Sequence, residues 1–204
     1  MEDASDIDAV RAEIDPAPGA ESYPALDFAD SAVRLPGGRR VDLLGTPGDA
    51  ARWLVERGLV PADTVLYELC ASRMRALREH IRALFAARVD GAPAPAEALD
   101  AVNAALTKVP SAALLAWDSE RGLHRSAAHP IDQAVDHALA ALADNAAELL
   151  TSPEAERLAA CGSPPCDRYL VRTHPRRHWC STRCGDRARA ARAYARRLGP
   201  QSGR

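Results

Sequence analysis

Two close pairs of cysteines near the carboxyl end constrain the fold of this 204-residue chain more than any other sequence feature. Four residues separate Cys161 from Cys166, three separate Cys180 from Cys184, and thirteen lie between the pairs. Two such pairs on turns can direct four thiolates at one point, as a tetrahedral Zn²⁺ site requires. A segment of about 40 residues cannot build a sufficient apolar core, so a metal ion is its natural stabiliser. We therefore predict a Zn²⁺ ion held by Cys161, Cys166, Cys180 and Cys184.

The same four cysteines could instead be ordinary buried side chains or redox thiols. Their density in a segment with few apolar partners favours metal binding. His174 and His178 lie between the pairs, and either could replace a cysteine in a Cys₃His site. Four cysteines already complete a ligand set, so a Cys₄ site is favoured. The fifth cysteine, Cys70, falls on the apolar face of a predicted helix and is expected to pack in the core.

The formal net charge of −2 conceals two oppositely charged parts of the chain. Residues 1–152 contain 24 acidic and 14 basic side chains, whereas residues 153–204 contain 4 acidic and 12 basic ones, for net charges of −10 and +8. Such asymmetry is typical of an acidic body with a basic segment that faces nucleic acid or a partner. The alternative is an arginine surface that docks on the acidic body or on another protein. The candidate nucleic-acid-binding residues are Arg176, Arg177, Arg183, Arg187, Arg189, Arg192 and Arg196.

A basic helix is predicted to follow the last cysteine and to end near Leu198. Its apolar stripe has spacings of four and three and consists of Cys184, Ala188, Ala191, Ala195 and Leu198. A cysteine-anchored helix of this kind resembles a treble-clef or zinc-ribbon-like knuckle. Arginines that neutralise phosphates would provide sequence-independent affinity, and one or two could read guanine edges.

The rest of the sequence predicts an α+β fold that is dominated by helices. β-Hairpins are expected over residues 32–44 and 114–126, where glycine-containing turns separate short apolar runs. Helices are expected where apolar residues recur at spacings of three and four, over residues 46–57, 62–89, 95–108 and 129–150. The inward positions predicted for the longest helix are Val65, Leu66, Leu69, Cys70, Leu77, Ile81, Leu84 and Phe85.

These patterns divide the chain into three parts. Residues 1–22 are predicted to form a flexible acidic tail, because they contain too little apolar surface to order themselves. Residues 23–152 are predicted to form a helical α+β domain with one or two β-hairpins. Residues 153–204 are predicted to form the zinc finger with its basic carboxyl-terminal helix.

The segment around the second cysteine pair resembles a known family, the CGNR zinc finger. The segment reads RRHWCSTRCGDRARA, and the residues that match the signature are Trp179, Cys180, Ser181, Cys184, Gly185 and Arg187. Asp186 stands where that family usually has asparagine, which makes the motif less cationic.

The amino-terminal part is similar to the ABATE domain that accompanies this finger. Residues 26–31 read LDFADS where family members tend to show LDFANT, and residues 53–59 read WLVERGL. Asp30 again replaces an expected asparagine. The resemblance spans about residues 24–198, and it implies a bacterial, stress-induced transcription regulator.

Enzymatic activity is not expected from this sequence. It contains no glycine-rich phosphate loop, no G-x-S-x-G elbow and no HExxH. Asp27 and Asp30 could form an acid/base pair on a helix, but a cap or a polar contact is favoured. The main alternative to a DNA-binding regulator is a protein-interaction module in which zinc only folds the basic tail.

Location and partners follow from coarser features. No run of about 18 apolar residues and no secretory signal is found, so we expect a cytoplasmic protein without membrane contact. The amino-terminal domain is a candidate for binding a small-molecule effector and for homodimerisation. The sequence identifies neither the effector nor an interface.

Overall fold

The computed structural model describes residues 14–109, 113–127 and 133–198. Within them the protein is mostly helical, with three two-stranded antiparallel hairpins, which confirms the predicted α+β fold. The α-helices are α1 (Pro24–Ala29), α2 (Pro47–Glu56), α3 (Glu68–Asp90), α4 (Ala96–Thr107), α5 (Ala134–Thr151) and α6 (Thr182–Leu198). The strands are β1 (Ala32–Arg34), β2 (Arg40–Asp42), β3 (Ala113–Asp118), β4 (Gly122–Ala127), β5 (Leu158–Ala160) and β6 (Tyr169–Val171). Among the described helices, none combines the length and apolarity needed to span a bilayer.

The central element of the body is α3, which contacts α1, α2, α4 and α5. Its buried face includes Leu77, Ile81 and Phe85, as the apolar spacing predicts. Trp53 of α2 is fully buried and packs on Phe28 with ring centroids 5.3 Å apart. These helices therefore enclose one apolar core.

The predicted hairpin over residues 32–44 is present as β1 and β2 and is tied to α3. Val33 pairs with Val41, and a 3₁₀ turn over Pro36–Gly38 joins the strands. Arg78 of α3 is 4% exposed and donates two hydrogen bonds to Asp42, at 2.6 and 2.9 Å. This bidentate pair fixes the hairpin on the helix, because a buried guanidinium requires a matched acceptor.

The prediction that α3 begins directly after Pro61 is wrong. The helix begins at Glu68, and Tyr67, which precedes it, is extended (φ −104°, ψ 165°). In this extended segment Leu66 is buried, whereas its neighbours Val65 and Tyr67 are 76% and 75% exposed. Successive side chains of an extended chain point in opposite directions, so only one of the three reaches the core. Leu69 is also exposed rather than inward, and Cys70 is half-buried.

The bounds of the other described helices and hairpins agree closely with the prediction. Thr46 caps α2 by accepting a hydrogen bond from the backbone N–H of Asp49 at 3.1 Å. Strands β3 and β4 form the second predicted hairpin, with Trp117 opposite Leu123. The predicted start of the last body helix, at residues 129–130, lies outside the described residues. In α6, Ala191 and Ala195 of the predicted stripe are exposed.

The β5–β6 hairpin joins the finger to the body. Leu158, Tyr169 and Val171 belong to the same apolar cluster as the helices of the body. The ring of Tyr169 meets Phe85 of α3 edge-on, with centroids 5.6 Å apart. The finger is therefore packed into the body rather than linked to it as a separate unit.

Residues 14–22 differ from the predicted flexible tail. Ala17 is 1% exposed and packs in the finger's small apolar cluster. Pro18 accepts a hydrogen bond through its carbonyl from the N–H of Val171 at 2.8 Å. Gly19 (φ +97°) lies so close to Val171 that an added Cβ would be 2.7 Å from the valine Cβ. These contacts with the finger order the segment. The composition of the segment alone does not reveal them. The prediction for residues 1–13 lies outside the described residues.

Candidate metal centre

The four predicted cysteines meet at one point of the finger. Their Sγ atoms all lie within 4.8 Å of one another. The Sγ of Cys180 is 3.7 Å from that of Cys166 and 3.6 Å from that of Cys184. A tetrahedral Zn²⁺ with Zn–S bonds of about 2.3 Å places its sulfurs about 3.8 Å apart. The spacing fits zinc and is much too long for a disulfide.

Local backbone structure brings the two pairs together. The first pair flanks the turn after β5, where the N–H of Cys161 donates to Arg168 O and that of Cys166 to Ser163 O. The second pair flanks the start of α6, where the Ser181 hydroxyl accepts a hydrogen bond from the N–H of Cys184 at 3.2 Å. A knuckle and a helix start thus each supply two sulfurs, and the helix dipole favours thiolate at Cys184.

The sulfurs perturb one another's ionisation. Hydrogen bonds from Cys166 and Cys180 lower the pKa of Cys161 to about 6. The interaction with Cys161 lowers the pKa of Cys184 as well. The Cys161 thiolate raises the pKa values of Cys166 and Cys180, because adjacent sulfurs cannot all ionise without a cation. A divalent cation removes this conflict, which is the chemical reason that the cluster fits Zn²⁺.

Two arginines supply positive charge to the cluster. Arg168 Nη1 lies 3.9 Å from Cys180 Sγ, and Arg187 Nη2 lies 3.2 Å from Cys184 Sγ. Zinc with four thiolates carries two net negative charges, which two guanidinium groups offset. The alternative ligands His174 and His178 are not part of the cluster, and neither is Cys70.

Trp179, beside the metal centre, organises one side of α6. The guanidinium carbons of Arg189 and Arg192 lie 5.7 and 5.5 Å from the centroid of its ring. Gly185 permits this packing, because an added Cβ would lie 3.2 Å from the indole. The residues of this Trp179 surface are Arg176, Arg177, Trp179, Gly185, Arg189, Arg192 and Arg196.

The seven candidate nucleic-acid-binding arginines therefore fall into two groups. Five lie on the Trp179 surface, where Gly185, Arg189, Arg192 and Arg196 share a side of α6 at spacings of four, three and four. Arg183 and Arg187 line a cleft between the finger and hairpin β1–β2. Arg187 donates a hydrogen bond to Ser163 O at 3.1 Å in addition to its contact with Cys184.

Comparison with known families identifies both parts of the chain. A family model named ABATE, described as “Putative stress-induced transcription regulator”, matches residues 22–153. The chain belongs to the ABATE family. A second model, the CGNR zinc finger, matches residues 157–197, and both predicted resemblances are thereby confirmed. Among curated proteins, no sequence matches the chain.

Both departures of this ABATE chain from the family pattern have partners in the structure. Asp186 pairs with Arg189 on the exposed side of α6. Asp30 is 2% exposed and accepts hydrogen bonds from Arg168 and from the backbone of Tyr169, which confirms the favoured polar contact. Arg168 was not among the predicted site residues. The available signal was its position two residues after Cys166, in the turn that holds the metal ligands.

Proposed function

We propose that this ABATE protein is a zinc-dependent, DNA-binding transcription regulator of the bacterial cytoplasm. The observation that carries the proposal is the Trp179 surface, where one aromatic side chain aligns Arg189 and Arg192 along the same side of a projecting helix. The ring contacts the two cations before any ligand arrives, so less side-chain entropy would be lost on binding.

The distal half of α6 has the shape and charge for the major groove of DNA. From residue 190 onward all but one of its described side chains are exposed, and Tyr194 is 64% exposed. The nine residues 190–198 extend about 13 Å at 1.5 Å per residue. The major groove admits an α-helix, and arginine is the commonest reader of guanine there. Arg176 and Arg177, beside the start of the helix, would contact phosphates in this arrangement.

In this proposal the metal acts by positioning the helix. Cys161, Cys166, Cys180 and Cys184 would bind Zn²⁺, and the last two flank the first turn of α6. Bound zinc would hold this turn against the knuckle and keep Trp179 beside Gly185. The acidic body would disfavour non-specific contact with DNA, and it is a candidate for binding an effector that alters this balance.

Selection from a random duplex library with the zinc-loaded full-length protein tests the proposal. We expect an enriched sequence whose affinity falls on chelation of zinc and in an Arg192→Ala variant. Arg121→Ala is the matched control, because Arg121 is exposed at the tip of hairpin β3–β4, on the acidic body. No enrichment, together with salt-insensitive binding, would contradict DNA recognition.

A protein-interaction module is the second candidate, and an exposed apolar patch favours it. Leu115, Trp117 and Leu123 on hairpin β3–β4 are 75%, 69% and 71% exposed, and register pairs Trp117 with Leu123. Exposed apolar side chains that are grouped in this way are typical of docking surfaces. With this function zinc only folds the tail, and the same selection experiment returns no DNA sequence.

A further inference from the structure

One buried guanidinium lies between the ABATE domain and the metal centre. Arg168 is 5% exposed, and the two groups that its guanidinium meets, Asp30 and Cys180, are each 2% exposed. Its Nε donates to Asp30 Oδ2 at 3.2 Å, and its Nη1 lies 3.9 Å from Cys180 Sγ. A buried charge is costly unless its partners offset it, so these contacts decide whether Arg168 is tolerated at this position.

Negative charge reaches Arg168 from both sides. Burial opposes its ionised form, but the neighbouring negative groups outweigh burial and raise the pKa of Arg168. Those groups are Asp30, Cys180 and Cys166. A positive charge close to a cysteine favours its thiolate, and metal binding requires thiolate ligands. The more fully Asp30 neutralises the guanidinium, the less of its charge acts on the sulfurs.

Main-chain hydrogen bonds fix Arg168 between its two partners. Its carbonyl accepts a hydrogen bond from the N–H of Cys161 at 2.8 Å, within the turn that holds the first cysteine pair. The N–H of the next residue, Tyr169, donates to Asp30 Oδ1 at 2.8 Å. A displacement of the end of α1 relative to this turn would therefore change how the guanidinium is shared.

We propose that Arg168 is a positioning residue that couples the ABATE domain to the metal centre, because Asp30 competes with the thiolates for its single positive charge. A change in the ABATE domain that separates Asp30 from Arg168 then raises the affinity for zinc. By thermodynamic reciprocity, zinc loading weakens the interaction between Asp30 and Arg168. The inference rests on the proposed ligand set of four cysteines, and it does not depend on DNA binding.

A double-mutant cycle on zinc affinity tests the coupling in the full-length protein. The cycle compares wild type, Asp30→Asn, Arg168→Met and the double variant by competition with a coloured zinc chelator. At about pH 8 Asp30 is ionised, because its pKa is about 7. Arg168→Met should weaken zinc binding by roughly 10–100-fold, as is typical for groups that contact metal ligands. Asp30→Asn should tighten zinc binding by at least about fivefold, because the guanidinium then acts on the sulfurs alone.

The double variant shows whether the two residues act on zinc as a unit. Without Arg168, burial keeps Asp30 neutral, since only Arg82 at 3.9 Å opposes it. Asp30→Asn should therefore change zinc affinity by less than about twofold in the Arg168→Met protein. An equal effect of Asp30→Asn with and without Arg168 would overturn the coupling.

The cycle remains decisive if Arg168→Met alone does not fold. That variant leaves a buried carboxylate without its main partner, whereas the double variant removes both members of the pair. Comparison of Asp30→Asn with the double variant then measures the effect of Arg168, which should exceed about tenfold. Equal zinc affinities of these two proteins would overturn the proposal.

The ion pair of Arg34 and Asp167 is the matched control. Its Nε–carboxylate distance is also 3.2 Å, and Asp167 directly precedes Arg168, but the two side chains are 53% and 30% exposed. Water and salt screen such a pair, so Arg34→Met and Asp167→Asn should each change zinc affinity by less than about twofold. Changes as large as those in the buried pair would show that any charge near the finger alters zinc affinity, and they would overturn the assignment to Arg168.

Cobalt-substituted protein gives a readout that weakened packing alone does not produce. The energy of the thiolate-to-cobalt charge-transfer absorption depends on nearby charge, because a cation lowers the energy of the sulfur lone pairs. The band should move to longer wavelength in Arg168→Met, less far in Arg168→Lys, and to shorter wavelength in Asp30→Asn. A band at the wild-type position in Arg168→Met would show that Arg168 acts only through packing and would overturn the proposal. A wild-type protein that takes up neither metal would instead refute the ligand set itself, and with it the coupling.

Discussion

Asp30 and Arg168 form a buried ion pair between residues that are 138 positions apart in the sequence. Asp30, at the end of α1, accepts a hydrogen bond from Arg168 Nε at 3.2 Å and another from the N–H of Tyr169 at 2.8 Å. The same guanidinium reaches Cys180 Sγ at 3.9 Å. One side chain therefore touches both a carboxylate of the ABATE domain and a sulfur of the metal centre.

The ionisation of Asp30 predicts a pH-dependent stability. Burial raises the pKa of Asp30 to about 7, and the charge of Arg168 opposes this only in part. Since an unfolded aspartate has a pKa of about 3.9, the folded protein holds one more proton between these values. Asp30 therefore stabilises the folded protein most below about pH 4. Its contribution to the free energy of unfolding falls by about 1.4 kcal/mol per pH unit between the two pKa values and is lost once the pH has risen through 7.

Comparison with Asp30→Asn isolates this effect, because the amide does not titrate. The unfolding free energy of wild type minus that of the D30N protein should fall between about pH 5.5 and 7 and become constant above about pH 8. Urea unfolding of both zinc-loaded proteins measures it, over the pH range in which both retain their zinc. A difference that does not vary with pH would refute the assignment.

This ion pair also shows where prediction from the sequence ended. The sequence predicted a polar contact for Asp30 but named no partner, because periodicity and spacing describe only neighbours along one element. The cysteine pairs, in contrast, carry their geometry in spacings of four and three residues, so the grouping of the four sulfurs was predicted. What the local pattern omits is that β5–β6 packs on α3 and so places Arg168 beside Asp30.

Zinc content provides a direct test of the cluster. We expect one zinc per chain in the purified wild-type protein and a strongly reduced content in Cys180→Ser, because a serine hydroxyl is a poor ligand beside three thiolates. Cys70→Ser is the control, since Cys70 lies outside the cluster. Elemental mass spectrometry after exchange into metal-free buffer gives the ratio. A full zinc content in the C180S protein would remove Cys180 from the ligand set.

The error at the start of α3 has a different origin from the missing partner of Asp30. Val65, Leu66 and Leu69 are all apolar, so the sequence alone is consistent with a helical face. Only tertiary contacts decide that Leu66 reaches the core from an extended segment while Val65 and Leu69 stay in solvent. Apolar residues show which side chains of a segment can be buried. The packing of neighbouring elements determines which of those side chains are buried.

Packing of the finger into the body predicts that both unfold together. Tyr169 of β6 is 8% exposed, contacts Phe85 and lies with its ring 5.2 Å from the guanidinium of Arg82. Tyr169→Ala should lower the free energy of unfolding by about 3–5 kcal/mol, as for other large aromatic residues truncated in a core. Tyr194→Ala, on the exposed part of α6, should change it by less than about 0.5 kcal/mol.

Urea unfolding followed at two probes distinguishes this arrangement from independent domains. Far-ultraviolet circular dichroism reports on the helices of the body, and zinc release to a chelator reports on the finger. In wild type and in Tyr169→Ala the two transitions should coincide and shift together. If Tyr169→Ala moved only the zinc transition, the finger would be a separate cooperative unit.

Salt dependence of DNA binding should separate the two arginine groups of the finger. Each phosphate contact releases condensed counterions, so log affinity should fall linearly with log salt by about 0.9 per contact. Arg192→Ala, on the Trp179 surface, should reduce the magnitude of this slope by about one if Arg192 contacts phosphate alone. If the arginine instead reads guanine, its replacement should weaken binding by about 1–3 kcal/mol at one base position. Arg183→Ala, on the cleft side, should leave the slope within error of wild type. Anisotropy titrations of full-length, zinc-loaded protein from about 50 to about 300 mM salt measure these slopes. A loss of slope in Arg183→Ala with none in Arg192→Ala would place DNA on the cleft side and reverse the orientation proposed for α6.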